Sequence, residues 1–294
     1  MGGIKPTRSE RIFDAANIVF LIFLSLMFVI PFLAVLSTSF ISAEESMRRG
    51  AFVLIPERLD FTAYDVLLNR GKIILNAYQV TLFRVIVGTF LNLLFTSMLA
   101  YGLARRSLPG RNGLVLFIFL TMIFQGGLIP NYMLMDTLGL KDTLWVLIFP
   151  SLVSAWNLFI LRNFFMGLPE ELEESAVIDG ATPQLILFKI VIPLSMPAMA
   201  TIGLFYAVHH WNDWFGASIY INDINKMPIQ VIMRNILLTG ITHNEAQLEY
   251  VRNPPPAATL KSAVIIISTL PILFVYPFLQ KYFVKGVMVG SIKG

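Results

Sequence analysis

Six long stretches of the sequence contain no Asp, Glu, Lys or Arg, and they constrain the fold more than any other feature. A helix needs roughly 20 apolar residues to cross the hydrocarbon core of a bilayer, and each stretch is about that long or longer. We therefore predict an all-α integral membrane protein with six transmembrane helices. The predicted spans are residues 15–43, 85–104, 112–135, 143–161, 190–212 and 262–280.

The composition excludes an ordinary soluble domain and several kinds of site. Of 294 residues, 56% are hydrophobic and 14% are charged, whereas soluble domains carry about 25% charged residues. The net charge of +4 comes from short basic clusters without a basic face or recognition motif, so no nucleic-acid partner is expected. The absence of cysteine excludes disulfides and thiolate metal sites. The three histidines show no metal-ligand pattern, so we predict no metal site.

Charges near the span ends predict the orientation. Six crossings place both termini on one side, and positive residues in short loops favour the cytoplasm. The basic residues of the N-tail, the loop after span 2 and the C-tail are Lys5, Arg8, Arg11, Arg105, Arg106, Arg111, Lys281, Lys285 and Lys293. Both termini are therefore predicted to be cytoplasmic. The first span is predicted to be retained, because its apolar run is far longer than the roughly 7–15 residues of a signal peptide.

Two long polar segments, residues 42–72 and 221–258, then lie on the outer side. They are either passive connectors or docking surfaces for an extracytoplasmic partner. Arg48, Arg49 and Arg234 belong to these segments, and they suggest a preference for uronates, although exposed arginines are usually only solvated surface.

The segment between spans 4 and 5, residues 166–197, faces the cytoplasm and carries dense helix signals. Pro169 is followed by four glutamates within five residues, which suits the positive end of a helix dipole. Gly180 ends that helix, and Thr182 with Pro183 starts a second one that runs to a break at Pro193. The segment is predicted to be a helix-turn-helix on the membrane face. These signals are equally consistent with an amphipathic hairpin that only links two spans.

The spelling of this segment resembles the EAA signature of ABC-type importer permeases. That signature has Glu-Ala-Ala and a fixed Gly before a distal Ile-x-Leu-Pro, and this chain reads ESAVIDGA, then eight residues, then IVIP. The matching positions are Glu174, Ala176, Asp179, Gly180, Ala181, Ile190 and Pro193. Ser175 replaces the first Ala and Ile192 replaces Leu, and both changes are small in volume.

The resemblance covers roughly residues 76 to 294. HHWNDWFGASIYI in span 5 and KYFVKGVMVGSIKG at the C-terminus are similar to carbohydrate-uptake permeases of the maltose type, and most of all to those of aldouronate and alginate importers. The resemblance implies a non-catalytic subunit of a type I importer that translocates an oligosaccharide. It also implies a location in the bacterial cytoplasmic (inner) membrane, surrounded by lipid.

The implied partners are a dimer of ATPase subunits, a second homologous permease and an extracytoplasmic solute-binding protein. No cofactor is expected on this chain, since it lacks a phosphate-binding loop, and ATP and Mg belong to the ATPase. In the family this segment seats in a cleft of the ATPase. The residues expected at that contact are Glu174, Ser175, Ala176, Asp179, Gly180, Ala181 and Pro193, with Glu174 touching the ATPase and Gly180 permitting the turn.

Polar and aromatic residues cluster at membrane depth, where polar groups are costly and often mark a transport path. We predict a substrate pathway along Tyr206, His210, Trp211, Asn212, Asp213, Trp214, Asn157 and Asn131. The alternative is an interhelical hydrogen-bond network without substrate contact, and tryptophan is equally common at membrane interfaces. The sequence GGLIPN in span 3 predicts kinked backbone at comparable depth.

Two other classes of protein fit less of the sequence. A proton-coupled secondary transporter with His209, His210 and Asp213 as a relay leaves residues 166–197 unexplained. A membrane hydrolase would need a nucleophile and a base, and neither a metal pair nor a nucleophile elbow is present. Along the chain we predict an N-terminal part with span 1 and an outer loop, a permease core with five spans, and a cytoplasmic C-tail. These parts are residues 1–75, 76–283 and 284–294.

Overall fold

The computed structural model describes residues 7–50, 53–68, 72–239 and 255–291, and its regular structure over these residues is entirely helical. Lys5 and Lys293, residues 240–254 of the second outer segment, and the last three residues of the C-tail lie outside them. The helices are α1 Arg8–Thr38, α2 Ala43–Arg49, α3 Thr62–Leu68, α4 Ile73–Ala104, α5 Arg111–Ile123, α6 Leu128–Thr137, α7 Ala155–Met166, α8 Glu170–Ile178, α9 Pro183–Ile186, α10 Ile192–Leu194, α11 Met196–Asn212, α12 Phe215–Tyr220, α13 Ile229–Thr239 and α14 Ala257–Ser291. Short 3-10 turns occupy Leu144–Leu147, Phe149–Ser151 and Ile224–Lys226, and Leu187–Val191 forms a π turn.

The described residues form six apolar spans if each of three sharply bent helix pairs is counted as one span, and the predicted all-α membrane fold class is confirmed. Three are single helices, α1, α4 and the first part of α14, each long and apolar enough to cross a bilayer. Three are helix pairs that bend sharply within the span. The bends are 113° between α5 and α6, 54° between Leu144–Ser151 and α7, and 88° between Pro183–Leu194 and α11.

A glycine lies at one of the bends and a proline lies close to another. Gly127 has φ of 84° at the start of α6, which confirms the kink predicted from GGLIPN. The bend before α11 was predicted at Pro193, and that prediction is wrong, because helical backbone continues to Leu194 and breaks at Ser195. The wider π turn at Leu187–Val191 lies directly before Pro193 and accommodates a residue that has no N–H to donate.

Helix α4 begins twelve residues earlier than predicted, at Ile73 instead of residue 85. The predicted span began after Arg84, because the prediction required a window without charged residues. Arg84 is in fact 2% exposed and lies inside the helix, so its charge is satisfied within the protein and not by water. Helix α1 also extends beyond its window at the N-terminus, where Thr7 and Glu10 form a capping box.

The chain packs into two compact units. The first comprises residues 1–72 and 233–270, and the second comprises residues 73–232 and 271–294. In the first unit the Thr259 hydroxyl donates to the Ile41 carbonyl at 3.2 Å, and Phe40 packs on the rings of Phe61 and Tyr64. In the second, α4 packs along α7 and α11. The three predicted parts, with boundaries at 75/76 and 283/284, are consecutive along the chain. The two packed units instead combine segments that are distant in sequence.

Loops of the second unit gather at the two ends of α4. Near its start, the Asn76 amide donates to Asn225 at 3.3 Å, and the Asp142 carboxylate accepts from the backbone N–H groups of Asn222 and Asp223 at 3.1 Å each. Near its end, Arg105 pairs with Glu173 at 3.1 Å. This grouping agrees with the predicted alternation of loops between the two faces of the membrane.

Candidate functional site

Helix α8 is built from local sequence signals and ends in a glycine cap. Pro169 precedes it, and Glu170, Glu171 and Glu173 occupy its first turn near the positive end of the dipole. Gly180 adopts φ of 80° and donates to the Val177 carbonyl at 3.0 Å, while the Ala181 N–H reaches the Ala176 carbonyl at 2.9 Å. These two bonds satisfy helix-end carbonyls in a Schellman motif.

Helix α9 follows directly, capped by the Thr182 hydroxyl, which accepts from the Leu185 N–H at 3.4 Å. The prediction of two short helices separated by Gly180 is therefore confirmed. We call Glu170–Leu194 the coupling segment.

The coupling segment buries one side against the rest of its unit, and several apolar side chains on its other side are exposed. Ala176 is buried among apolar residues of α4, α7 and the π turn, such as Ala100 and Leu161. Leu172, Val177 and Ile178 are exposed by 43%, 56% and 86%. Glu174, Ser175, Asp179, Gly180 and Pro193 are exposed and Ala181 is half-buried. The predicted contact residues thus lie on the surface of one compact hairpin, apart from Ala176, which anchors it.

A row of α4 residues at four-residue spacing faces the other predicted site in the membrane. Arg84 donates through Nε to the Leu147 carbonyl at 3.1 Å and through Nη1 to the Asp213 carbonyl at 2.7 Å, and its Nη2 pairs with the Asp213 carboxylate. Leu147 ends a 3-10 turn, and Asp213 follows the last residue of α11. One buried guanidinium therefore satisfies carbonyls that two helix ends leave free, and the carboxylate neutralises its charge.

Two turns further along α4, Asn92 repeats this arrangement. Its amide donates to the carbonyls of Ser151 and Leu152 at 2.6 and 2.9 Å, in the break before α7. The amide oxygen then faces Nε2 of His210 at 2.8 Å, so the imidazole must donate through that nitrogen. Gly88 lies against the same ring, with an ideal Cβ position 2.5 Å from Nε2.

Thr96 completes the row. Its hydroxyl is 2.8 Å from the Tyr206 hydroxyl, which also accepts from the Ser154 N–H at 3.0 Å. Ser154 in turn caps α7 by accepting from the Asn157 N–H at 3.4 Å. We call Arg84, Asn92 and Thr96, with their partners Asp213, His210 and Tyr206, the polar brace. In lipid, broken backbone persists only where protein or enclosed water satisfies it, and the brace performs this role.

The structure brings together some of the predicted pathway residues and not others. Tyr206, His210 and Asp213 meet α4, and Asn157 is buried beside them. Trp211 is buried, Asn212 and Trp214 are exposed, and Asn131 is exposed on α6. A single continuous helix from Tyr206 to Trp214 would place Asp213 and Trp214 on the same side as Tyr206. Asp213 instead has extended backbone after the end of α11, and Trp214 precedes α12.

Three α4 members of this site, Arg84, Asn92 and Thr96, were missed from the sequence. The spacing Arg84, Gly88, Asn92, Thr96 puts all four on one face of a helix, and this signal was available in the text of the chain. Treating Arg84 as a span boundary concealed it.

The end of the second unit that lies near the start of α4 has a separate polar junction at Asp142. This residue has φ of 57°, a left-handed conformation that Asp tolerates better than most residues. Its carbonyl accepts from Lys226 Nζ at 2.8 Å. The backbone N–H groups of Asp223 and Asn222, together with Lys226, hold the pKa of its carboxyl below the ordinary value.

Comparison with known proteins identifies the class. Residues 112–289 match the family described as "Binding-protein-dependent transport system inner membrane component", and this chain belongs to that family of ABC transporter permeases. The polygalacturonan/rhamnogalacturonan transport system permease protein YtcP of Bacillus subtilis (strain 168) is 44% identical over 97% of this chain and 99% of its own length.

A second relative and a solved structure extend the match. The arabinooligosaccharides transport system permease protein AraQ of Halalkalibacterium halodurans is 31% identical over 92% of this chain and 94% of its own. A chain in the crystal structure of a bacterial ABC transporter involved in the import of the acidic polysaccharide alginate superposes with a TM-score of 0.88. It is 32% identical, and the match covers 96% of this chain and all of that one. Fold class and family are thus as the sequence predicted.

Proposed function

We propose that this chain is the permease subunit of an ATP-driven importer that translocates an oligosaccharide and couples to a separate ATPase through the coupling segment. The observation that carries this proposal is the glycine-capped hairpin with Leu172, Val177 and Ile178 exposed beside Glu174. An apolar surface of this kind outside a membrane span favours a protein partner. Among the described residues, Glu174 is exposed and has no hydrogen-bond or ion-pair partner, so its carboxylate is free for a partner's cation.

In the proposed complex the chain works with two copies of an ATPase, a second homologous permease and an extracytoplasmic solute-binding protein. ATP and Mg bind on the ATPase, which supplies the energy. Closure of the ATPase dimer would displace the coupling segment and so bias the permease between inward-facing and outward-facing states, which requires different contacts in the two states. Both termini and the coupling segment would lie in the cytoplasm.

We propose an acidic oligosaccharide as the substrate. YtcP is named for polygalacturonan and rhamnogalacturonan, and the solved relative is described as importing alginate, an acidic polysaccharide. Arg48 and Arg49 do not carry this part of the proposal, because both form ion pairs with glutamates of their own segment.

Within the predicted pathway, we propose a division of labour. Asn131, Asn212 and Trp214 are exposed and could reach a passing sugar, and Trp offers a ring face for stacking. Tyr206, His210, Asp213 and Asn157 would hold the broken helices, because their polar groups already have partners or are buried. The same contacts disfavour a proton relay, since Asp213 is committed to Arg84.

The decisive experiment is uptake into proteoliposomes that contain the purified permease pair and ATPase, with the binding protein outside and ATP inside. We expect uptake of uronate oligosaccharides that requires ATP, and we expect Glu174→Lys to permit ATP hydrolysis while abolishing uptake. Glu44→Lys, the same charge reversal on the exposed face of α2, is the matched control and should leave uptake unchanged. Uptake without any ATPase, driven by a pH gradient, would overturn the proposal.

A further inference from the structure

Helix α8 is attached to the rest of its unit at two different points. Its last turn is held by apolar packing, because Ala176 lies in the core with Ala100 and Tyr101 of α4. Its first turn is held by charge, because the Glu173 carboxylate lies 3.1 Å from the guanidinium of Arg105, one residue past the end of α4.

The charged attachment spans a gap that apolar side chains do not fill. A cavity of about 330 Å³ lies between residues 104–107 and the start of α8, and Arg105, Glu173 and Glu174 help to line it. With open space beside the first turn, close packing does not fix the position of that turn. The Arg105–Glu173 ion pair is therefore a side-chain contact that ties this turn to the end of α4.

Arg105 contacts α4 as well as α8. Its guanidinium lies 4.6 Å from the centroid of the Tyr101 ring and donates to the Tyr101 hydroxyl. Tyr101 is 6% exposed in the last turn of α4, so its ring cannot move independently of that helix. The Tyr101 hydroxyl also lies 3.5 Å from the Glu173 carboxylate.

A neighbouring pair provides a contrast within the same loop. Arg106 and Glu170 are 3.6 Å apart, but their side chains are 80% and 73% exposed. The side chains of Arg105 and Glu173 are 29% and 34% exposed. Exposed ion pairs contribute little, and partly buried ones with a hydrogen-bonded partner contribute more. The structure thus has one pair suited to hold α8 and one suited as a control.

We propose that Glu173, Arg105 and Tyr101 form an electrostatic link that transmits displacement of the coupling segment to α4, and through α4 to the polar brace. The three are positioning residues, because they act through the contact between α8 and α4. The inference rests on the proposed function, because it assumes that a partner displaces α8. Beyond that function, the inference assigns part of the coupling between α8 and α4 to an ion pair within this chain, Arg105 with Glu173.

The test is the ratio of sugar imported to ATP hydrolysed, measured in the proteoliposomes described above. Glu173→Gln and Tyr101→Phe keep side-chain size, and each should lower that ratio by about fivefold, as expected for loss of a coupling of this class. Capture of the ATPase by the purified permease should not change. Arg106→Gln should leave both quantities at the wild-type level.

Charge exchange separates a link from a merely structural role. Glu173→Arg alone places two cations together and should lower the ratio further than Glu173→Gln. Combining it with Arg105→Glu should restore the ratio to within about twofold of wild type. An unchanged ratio in Glu173→Gln, or a double variant no better than Glu173→Arg, would overturn the inference. Failure of the proposed function looks different, because the wild-type protein would then show no ATP-dependent uptake.

Discussion

Gly88 lies where α4 passes His210, and the two helices meet there without room for a side chain. A Cβ at this position would fall 2.5 Å from Nε2 and 2.9 Å from two ring carbons of His210. The ring is fully buried and hydrogen-bonded to Asn92, so it has no free direction in which to move. Glycine is needed here because the two helices approach closely. Backbone conformation is not the reason, since the φ of Gly88 is not left-handed.

We expect Gly88→Ala to destabilise the protein by about 1–3 kcal/mol, the range for overpacking a filled site. Thermal unfolding in detergent, compared with wild type, measures it. Gly102→Ala is the matched control on the same helix, since nothing lies within 4 Å of its Cβ position. That variant should be neutral or slightly stabilising, because alanine favours the helix. Equal transitions for the two variants would contradict the close approach.

Asp142 gives a prediction that depends on pH. Its pKa is lowered in the folded protein, so its contribution is present above the unfolded-state pKa of about 3.9 and is lost as pH falls through the folded value. Asp142→Asn keeps an acceptor and tolerates the left-handed backbone but loses the charge. At pH 7 it should cost under about 1 kcal/mol, because the side chain is 36% exposed.

The measurement is unfolding of wild type and Asp142→Asn at pH 7 and at successively lower pH. The difference between the two proteins should shrink below pH 4 and disappear at lower pH. A difference that stays constant across this range would show that the charge of Asp142 contributes nothing.

Among the elements, α4 has the largest structural role in the second unit. In its row, Arg84 donates to the carbonyls of Leu147 and Asp213, and Asn92 donates to those of Ser151 and Leu152. Thr96 bonds the Tyr206 hydroxyl, which accepts from the Ser154 N–H. The bent spans 4 and 5 thus depend on hydrogen bonds from α4, which is a single unbroken helix. Substitutions in α4 should therefore affect helices that are distant in sequence.

Arg84→Leu tests this dependence. It leaves the Asp213 carboxylate without its cation and two carbonyls without donors, so we expect a loss of about 3–5 kcal/mol. Arg84→Leu combined with Asp213→Leu should recover part of that loss, since no unpaired charge then remains. Thermal unfolding in detergent of the two single variants and the double variant completes the cycle. Purely additive losses would mean that the two residues do not act as a pair.

For the whole molecule, the predicted orientation can be tested directly, because the sequence contains no cysteine. Single cysteines at Asn222 and Ile178 report the two ends of the second unit, and both side chains are exposed. A membrane-impermeant maleimide should label Asn222→Cys in intact cells and Ile178→Cys only after the membrane is opened. Wild type should label in neither case. Labelling of Ile178→Cys from outside would reverse the topology.

The sequence by itself determined the class of the fold and the helix-turn-helix at Gly180, and its six predicted spans match the structure when each bent helix pair is counted as one span. These properties depend on local chemistry: long apolar runs exclude water as a solvent, and glycine, proline and capping residues act within a few positions of themselves. The break at Ser195 was misplaced by two residues because a π turn absorbs the effect of Pro193.

Only the tertiary structure decided what the polar residues inside the membrane do. A charge such as Arg84 reads as a span boundary until its partner is known, and Asp213 is 129 residues away along the chain. The same holds for Asn92 with His210 and for Thr96 with Tyr206. In lipid a buried polar group is costly unless another group satisfies it, and which group does so depends on how the helices pack.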